Sequence, residues 1–139
     1  MPSSAGKRVF VHHIRPRYAE VDAQGVVFNA HWLTYFDESQ TRFFEALGLR
    51  PKEAFFTDFD VMVVKAVLDW QGPAGFDDDV AITVRVPRLG NASFDIEYTA
   101  TCNDVPACIG VITYVSVIPG THDSTPIPEA MRAKMGDHA

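Results

Sequence analysis

With 139 residues, 47% of them hydrophobic, the chain has material for one core and no room for a second domain. Ten Phe, four Tyr and two Trp exclude a disordered polypeptide. Twelve basic against eighteen acidic residues leave a net charge of −6, which excludes nucleic acid as a generic partner and requires a local basic patch for any anionic ligand. No apolar run approaches the ~20 residues of a membrane span. The opening Met1-Pro2-Ser3-Ser4-Ala5-Gly6-Lys7-Arg8 lacks the apolar core of a secretory signal. Residues 1–7 are expected to be a flexible tail, residues 8–135 one domain, and the location cytoplasmic.

Residues 9–18 place Phe10, Ile14 and Tyr18 on one alternating face, interrupted by His12 and Pro16. This predicts a first strand near a sheet edge, because proline cannot donate to a ladder. His12 and His13, adjacent on that strand, point to opposite faces and cannot form a facing pair. The next segment is Arg17-Tyr18-Ala19-Glu20-Val21-Asp22-Ala23-Gln24-Gly25-Val26-Val27-Phe28-Asn29-Ala30-His31-Trp32. An acidic residue, a glycine three positions later and an apolar triplet precede the start of the longest helix. That order sets a carboxylate on a turn with a helix N-terminus aimed at its neighbourhood. Unpaired N–H groups there carry partial positive charge and suit a developing oxyanion. An Asp before a Gly is equally an ordinary turn residue, and the residues alone leave both readings open.

From Ala30 to Leu47 the period changes. Trp32, Phe36, Phe43 and Leu47 share one helical face, broadened by Leu33, Phe44 and Ala46, while Asp37, Glu38, Thr41, Arg42 and Glu45 take the other. Glu38 thus falls on the polar stripe, in a solvated or interface role. Gly48 ends the helix and Pro51 blocks its continuation, with one short helical turn expected over Lys52 to Phe56. Strands follow. Met62, Val64, Ala66, Leu68 and Trp70 alternate with Val61, Val63, Lys65, Val67 and Asp69, up to the turn-rich Gln71-Gly72-Pro73-Ala74-Gly75. Val80, Ile82, Val84 and Val86 then lead through a Gly90-Asn91 turn into Phe94, Ile96, Tyr98 and Ala100, a hairpin. Cys102 and Cys108 flank a further turn, across which they could face each other as reduced thiols; neither has a CxxC partner, so no metal is suggested. Ile109 to Ile118 is apolar on both faces, which predicts a central strand or one packed on another subunit. Ile127 to Met135 reads as a short last helix.

One strand, one long helix and four strands in antiparallel hairpins predict an α+β domain, a curved antiparallel sheet wrapped around one long central helix. No GxSxG elbow, GxxxxGK[ST] loop or GxGxxG turn occurs.

The Asp22 segment has company. Tyr35-Phe36 and Leu47-Gly48-Leu49 in the helix, Pro73-Ala74 with Asp77, Arg88-Leu89-Gly90-Asn91-Ala92-Ser93 at the hairpin turn, and Pro126 and Pro128 before the last helix follow in order. Over residues 8 to 130 the chain thereby resembles the hotdog-fold acyl-CoA thioesterases of the 4-hydroxybenzoyl-CoA thioesterase type. The resemblance implies hydrolysis of an acyl- or aroyl-CoA to free acid and CoA, without metal or other cofactor. It makes Asp22 the catalytic carboxylate, as nucleophile or general base, and the helix-start N–H near Asn29 the oxyanion donor. Gly25 is the residue that lets the turn close.

Asn29 stands where a common variant of the family has histidine, and His31 lies two residues on. The Asn29 side chain is expected to cap the helix. Gln40 and Thr41 replace a frequent Ala-Arg. The resemblance further implies a homodimer or homotetramer. The acyl group would enter a tunnel between subunits lined by Trp32, Tyr35 and Phe36. The CoA nucleotide would lie near Arg88, Gly90 and Asn91, with Lys65 and Arg85 as further cations. Two rivals are a hotdog hydratase or dehydratase and a non-catalytic protein binding acyl groups or an acyl carrier. The first is disfavoured because the Asp-x-Asn-Pro-x-His arrangement is missing, the second because Asp22 is retained.

Overall fold

Alternating apolar residues in β3 (Val80–Leu89) and β4 (Ser93–Cys102) set one face of the sheet against the core. Val80, Ile82, Val84, Phe94, Ile96 and Tyr98 are buried, while Thr83, Arg85, Asp95, Glu97 and Thr99 alternate on the other face. The computed structural model describes residues 8–49 and 58–139. The expected tail over residues 1–7 and the turn over Lys52 to Phe56 lie outside them. Strands β1 (Phe10–Ile14), β2 (Asp60–Trp70) and β5 (Val105–Val117) complete a five-stranded sheet of order β1-β3-β4-β5-β2, with every neighbouring pair antiparallel. Helix α1 (His31–Ala46) follows β1, and α2 (Glu129–Gly136) follows β5, so a second, shorter helix joins the long one.

Helix α1 lays its aromatic stripe on the inner face of the sheet. Phe36 stacks on Tyr98 with ring centroids 5.0 Å apart. It can do so because β5 has glycine beneath it: a Cβ on Gly110 would lie 2.6 Å from Phe36 Cε2. The helix ends in a Schellman motif. Gly48 has φ +99°, its N–H donates to Glu45 O at 3.0 Å, and the Leu49 N–H reaches back to Phe44 O at 3.0 Å. On α2, Met131 and Met135 enter the core. Arg132 Nη2 donates to the Gly90 and Asn91 carbonyls at 2.6 and 3.0 Å, tying α2 to the β3–β4 turn.

Several expectations are corrected. Strand β1 stops at Ile14 ahead of Pro16, so Tyr18 leaves the strand for a one-turn 3-10 helix, Tyr18–Glu20, where it is exposed beside Phe76. In β2 the register shifts between Val63 and Lys65, and the extra residue Val64 reverses the alternation. Val63 therefore shares a face with Ala66, Leu68 and Trp70, not with Lys65 and Val67. Strand β5 begins four residues before the expected Ile109, because Asn103 (φ 53°) and Asp104 (φ 65°) form a tight two-residue turn. Cys102 consequently pairs with Val105 and Cys108 with Ala100, so the two thiols do not face each other. Both are free and buried, and burial pushes the Cys108 thiol up to about 12.

Strand β5 holds an interior place between β4 and β2; Ile112 and Tyr114 are buried on one face, while Ile109, Val111 and Val115 on the other are half-buried. At the far edge, β2 has no neighbour on one side among the described residues, and Val63, Val64 and Trp70 are 57%, 58% and 59% exposed. No helix of the described residues is long and apolar enough to cross a membrane.

Candidate active site

Asp22 opens a miniature hairpin. Val21 pairs with Val27, the Asp22 N–H donates to Val26 O at 2.8 Å, and the Gly25 N–H donates to Asp22 O at 2.9 Å. Gly25 closes this turn at φ +79°, a conformation open to glycine at no steric cost. The Gln24 N–H donates to Asp22 Oδ1 at 2.8 Å, an Asx turn that fixes one carboxylate oxygen. Oδ2 has no hydrogen-bond partner among the described residues.

The returning strand of the hairpin runs directly into α1. The Phe28 N–H donates to Glu20 O at 2.9 Å, and the first helical turn is closed by His31, Trp32 and Leu33 N–H groups on Phe28, Asn29 and Ala30 carbonyls. Ala30 holds the N-cap position in helical conformation, and no side chain caps the helix. The expected Asn29 cap is therefore not formed: the helical turn begins one residue too late for its side chain to reach the orphan donors. Asn29 lines a cleft instead, and its N–H has no acceptor among the described residues.

That cleft holds about 430 Å³. Asp22, Asn29 and Trp32 form one wall, and Trp70, Gln71, Gly72 and Pro73 form the other. The walls are joined where the Val27 N–H donates to Ala74 O at 2.8 Å. Asp22 and Asn29, one with an oxygen and the other with an N–H that no described residue engages, thus line one half-apolar cavity. Such a pair can attack, or activate water against, a carbonyl whose oxygen it also polarises.

Below the hairpin sits a buried carboxylate. Glu20 is 7% exposed, and its Oε1 accepts the Arg17 N–H and the Tyr35 O–H, each at 2.8 Å. Its Oε2 accepts Arg17 Nε at 3.2 Å and Nη2 at 3.1 Å. Burial works to raise the Glu20 pKa, but the hydrogen bonds from Arg17 and Tyr35 outweigh it and hold the carboxyl below its ordinary range. Burial and the bond to Glu20 push the Tyr35 phenol up.

The other expected residues scatter. Of the three aromatics, only Trp32 lines the cleft; Tyr35 is turned to Glu20, and Phe36 is in the core at 0% exposure. Arg88 is already engaged: its Nε and Nη2 grip Asp95 at 3.0 and 3.2 Å, and Nη2 also donates to Ser93 Oγ at 3.1 Å. The Arg88 bond, opposed by burial and helped by a bond from Thr113, holds Asp95 below the usual carboxylate range. Arg88, Asp95, Thr113 and Lys65 form one row across four strands. The Gly90 N–H, expected to meet a phosphate, instead closes the turn on Ser93 O at 2.7 Å. Asn91 is exposed, and its carbonyl is taken by the Ile127 N–H at 3.0 Å and by Arg132. Arg85 pairs with Glu97 and Glu38 with Arg42. His31 lies edge-on to Phe28 and does not line the cleft.

The sequence reading missed Glu20 and Trp70. An Arg and a Glu three apart just before a functional turn are a weak signal for the first; nothing in the spacing marks the second.

Known proteins share the sequence pattern and the fold of this chain. The family profile of the thioesterase-like superfamily matches residues 16–135. A 1,4-dihydroxy-2-naphthoyl-CoA hydrolase of Synechococcus elongatus is 27% identical over 119 residues, 84% of this chain and 87% of that one. A 1,4-dihydroxy-2-naphthoyl-CoA thioesterase from Synechocystis has the same hotdog fold, with TM-score 0.81 at 16% identity over 92% of this chain and 96% of that one. So does a Staphylococcus aureus protein solved in complex with CoA, with TM-score 0.84 at 16% identity over 95% of this chain and 84% of that one. With a match that spans most of its length, the chain belongs to the thioesterase-like superfamily and is a thioester hydrolase.

Proposed function

We propose that this protein hydrolyses an acyl- or aroyl-CoA thioester to the free acid and CoA, with Asp22 as the reacting carboxylate and the Asn29 N–H as oxyanion donor. One observation carries the reading: Asp22 and Asn29, whose Oδ2 and N–H have no partner among the described residues, line the same cleft. As nucleophile, Asp22 attacks the thioester carbon, the C–S bond breaks, and the thiolate leaves and takes a proton to become the CoA thiol. Water then opens the mixed anhydride and regenerates the carboxylate. As general base, Asp22 instead takes a proton from water as the water attacks, and that proton goes to the departing sulfur. Both routes gather negative charge on the carbonyl oxygen, where the Asn29 N–H and the N-terminal end of α1 stabilise it.

The relative that acts on dihydroxynaphthoyl-CoA, together with the aromatic walls Trp32 and Trp70, favours an aromatic acyl group. The test is thiol release from a panel of short, long, branched and aromatic acyl-CoAs. Turnover of an aroyl-CoA is the expected result. No thiol release, with an enoyl-CoA hydrated, would turn the reading to a hydratase. That chemistry has no histidine in the cleft to serve it, His31 being packed on Phe28.

The fold is completed by a second copy. The β2 edge, unpaired among the described residues, carries exposed valines and Trp70, and edge-to-edge pairing of two β2 strands would cover them while placing a partner wall beside the cleft. Light scattering at micromolar concentration should give a dimer or tetramer; a stable monomer would contradict this assembly.

Arg88 binds the CoA phosphates in this account through Nη1, the nitrogen that Asp95 and Ser93 leave free. Arg88→Ala should raise KM by about 3- to 10-fold with little change in kcat, because an exposed contact remote from the thioester acts alike on ground and transition states. The defect should vanish with a short thioester lacking the nucleotide. An equal defect on both substrates would remove Arg88 from the CoA site.

A further inference from the structure

We propose that Glu20 is a positioning residue for hydrolysis, holding Asp22 in place against the N-terminus of α1. The inference rests on the catalytic reading of Asp22. Among the described residues, the hydrogen bonds of Asp22 all stay within its own hairpin: its N–H to Val26, its carbonyl to Gly25, its Oδ1 to Gln24. The hairpin is tied sideways to the 74–75 loop through Val27 and Val26. Besides the chain itself, which runs from the returning strand into α1, its tie to the helix is Glu20, the last residue of the 3-10 turn, joined to Asp22 through the extended Val21. The main-chain carbonyl of Glu20 accepts the Phe28 N–H next to Asn29, while its side chain accepts the Tyr35 O–H from α1. One residue therefore sets both the spacing of the two hairpin strands and the seat of the hairpin on the helix that supplies the oxyanion donor. Tyr35 in turn packs edge-on to Trp32, in the cleft wall, with centroids 5.5 Å apart.

The site requires a carboxylate. Four donors converge on two oxygens: the Arg17 N–H, the Tyr35 O–H and two guanidinium N–H groups. A buried ionised carboxylate is tolerated when its lone pairs are filled in this way. Glutamine fills the same space with one acceptor oxygen, and its NH2 must face either the guanidinium or the Arg17 N–H and Tyr35 pair. The hairpin then shifts, and a displacement of about 1 Å at the attacking group can cost on the order of 100-fold in rate.

The experiment compares Glu20→Gln, Tyr35→Phe, the double variant and Asp22→Asn with wild type on the best acyl-CoA, with kcat normalised to folded protein by circular dichroism and thermal melting. Glu20→Gln should lose about 10- to 100-fold in kcat with KM within about threefold of wild type. Tyr35→Phe keeps the ring and removes the hydroxyl, so it reports on the same link if Glu20→Gln folds poorly; it should lose kcat in the same manner. The double variant should fall well short of the product of the two losses, since both cut one connection. A purely structural role would lower the melting temperature and leave kcat per folded molecule intact. That result, kcat within about twofold in both single variants or losses that multiply, overturns the positioning role. Asp22→Asn separates the two claims: if it is fully active, the catalytic reading falls and the inference with it. If it is inactive while the Glu20 and Tyr35 variants are fully active, only the inference falls.

Discussion

Asp22→Asn should lose at least ~10²-fold in kcat while keeping its fold and its affinity for CoA. The amide has the size of the carboxylate and still accepts the Gln24 N–H through its oxygen, so the Asx turn and the Gly25 turn survive. What disappears is the charge on the free oxygen, and with it both nucleophilic attack and the capacity to take a proton from water at neutral pH. The substitution therefore isolates chemistry from architecture, because asparagine is itself a good turn former. Were Asp22 only a turn residue, thiol release by the purified variant would stay within a few-fold of wild type. The Asn29 N–H would remain to polarise the carbonyl, and a residual rate above water is expected from it.

Phe36→Ala should be the most damaging of the core substitutions considered, at about 3–5 kcal/mol. The ring is 0% exposed, stacked on Tyr98 and seated over Gly110, so its removal leaves a void that the sheet cannot close. Against a typical total of ~5–15 kcal/mol, such a loss approaches global unfolding. Gly110→Ala attacks the same contact from the other side by pushing a methyl group to 2.6 Å from the ring. It should cost about 1–3 kcal/mol, and combining it with Phe36→Leu should cost less than the sum of the separate changes. Urea denaturation reads both effects. An unchanged midpoint for Phe36→Ala would show that α1 does not depend on this contact.

The parts of the fold written in local periodicity were legible. The β3–β4 hairpin shows in two alternating runs around Gly90-Asn91, and α1 shows in its aromatic stripe and its terminal Gly48. Features that depend on register were not. Val64 looks like one more alternating residue, yet it bulges and puts Val63 and Lys65 on opposite faces. The start of β5 was hidden because Asn103-Asp104 is a weaker turn signal than Asn-Gly and Pro106 argues against a strand.

The same division runs through the site. The Asp22–Gly25 turn is local chemistry and was read directly. Arg88 looked free because its partner Asp95 is fixed by the hairpin register, with the unpaired Val86 and Pro87 between Arg85 and Arg88. Glu20 escaped notice because its importance lies in Tyr35, fifteen residues away on α1.

The account stands most directly on the meeting of Asp22 and the Asn29 N–H at one carbonyl. A crystal structure of the slowed Asp22→Asn protein with an intact acyl-CoA bound tests it without reference to rates. The account predicts the thioester in the cleft beside Trp32, its carbonyl oxygen about 2.7–3.1 Å from Asn29 N and its carbonyl carbon about 3–3.5 Å from the side chain at position 22. A thioester bound outside this cleft, or one in it whose carbonyl oxygen points away from the start of α1, would contradict it.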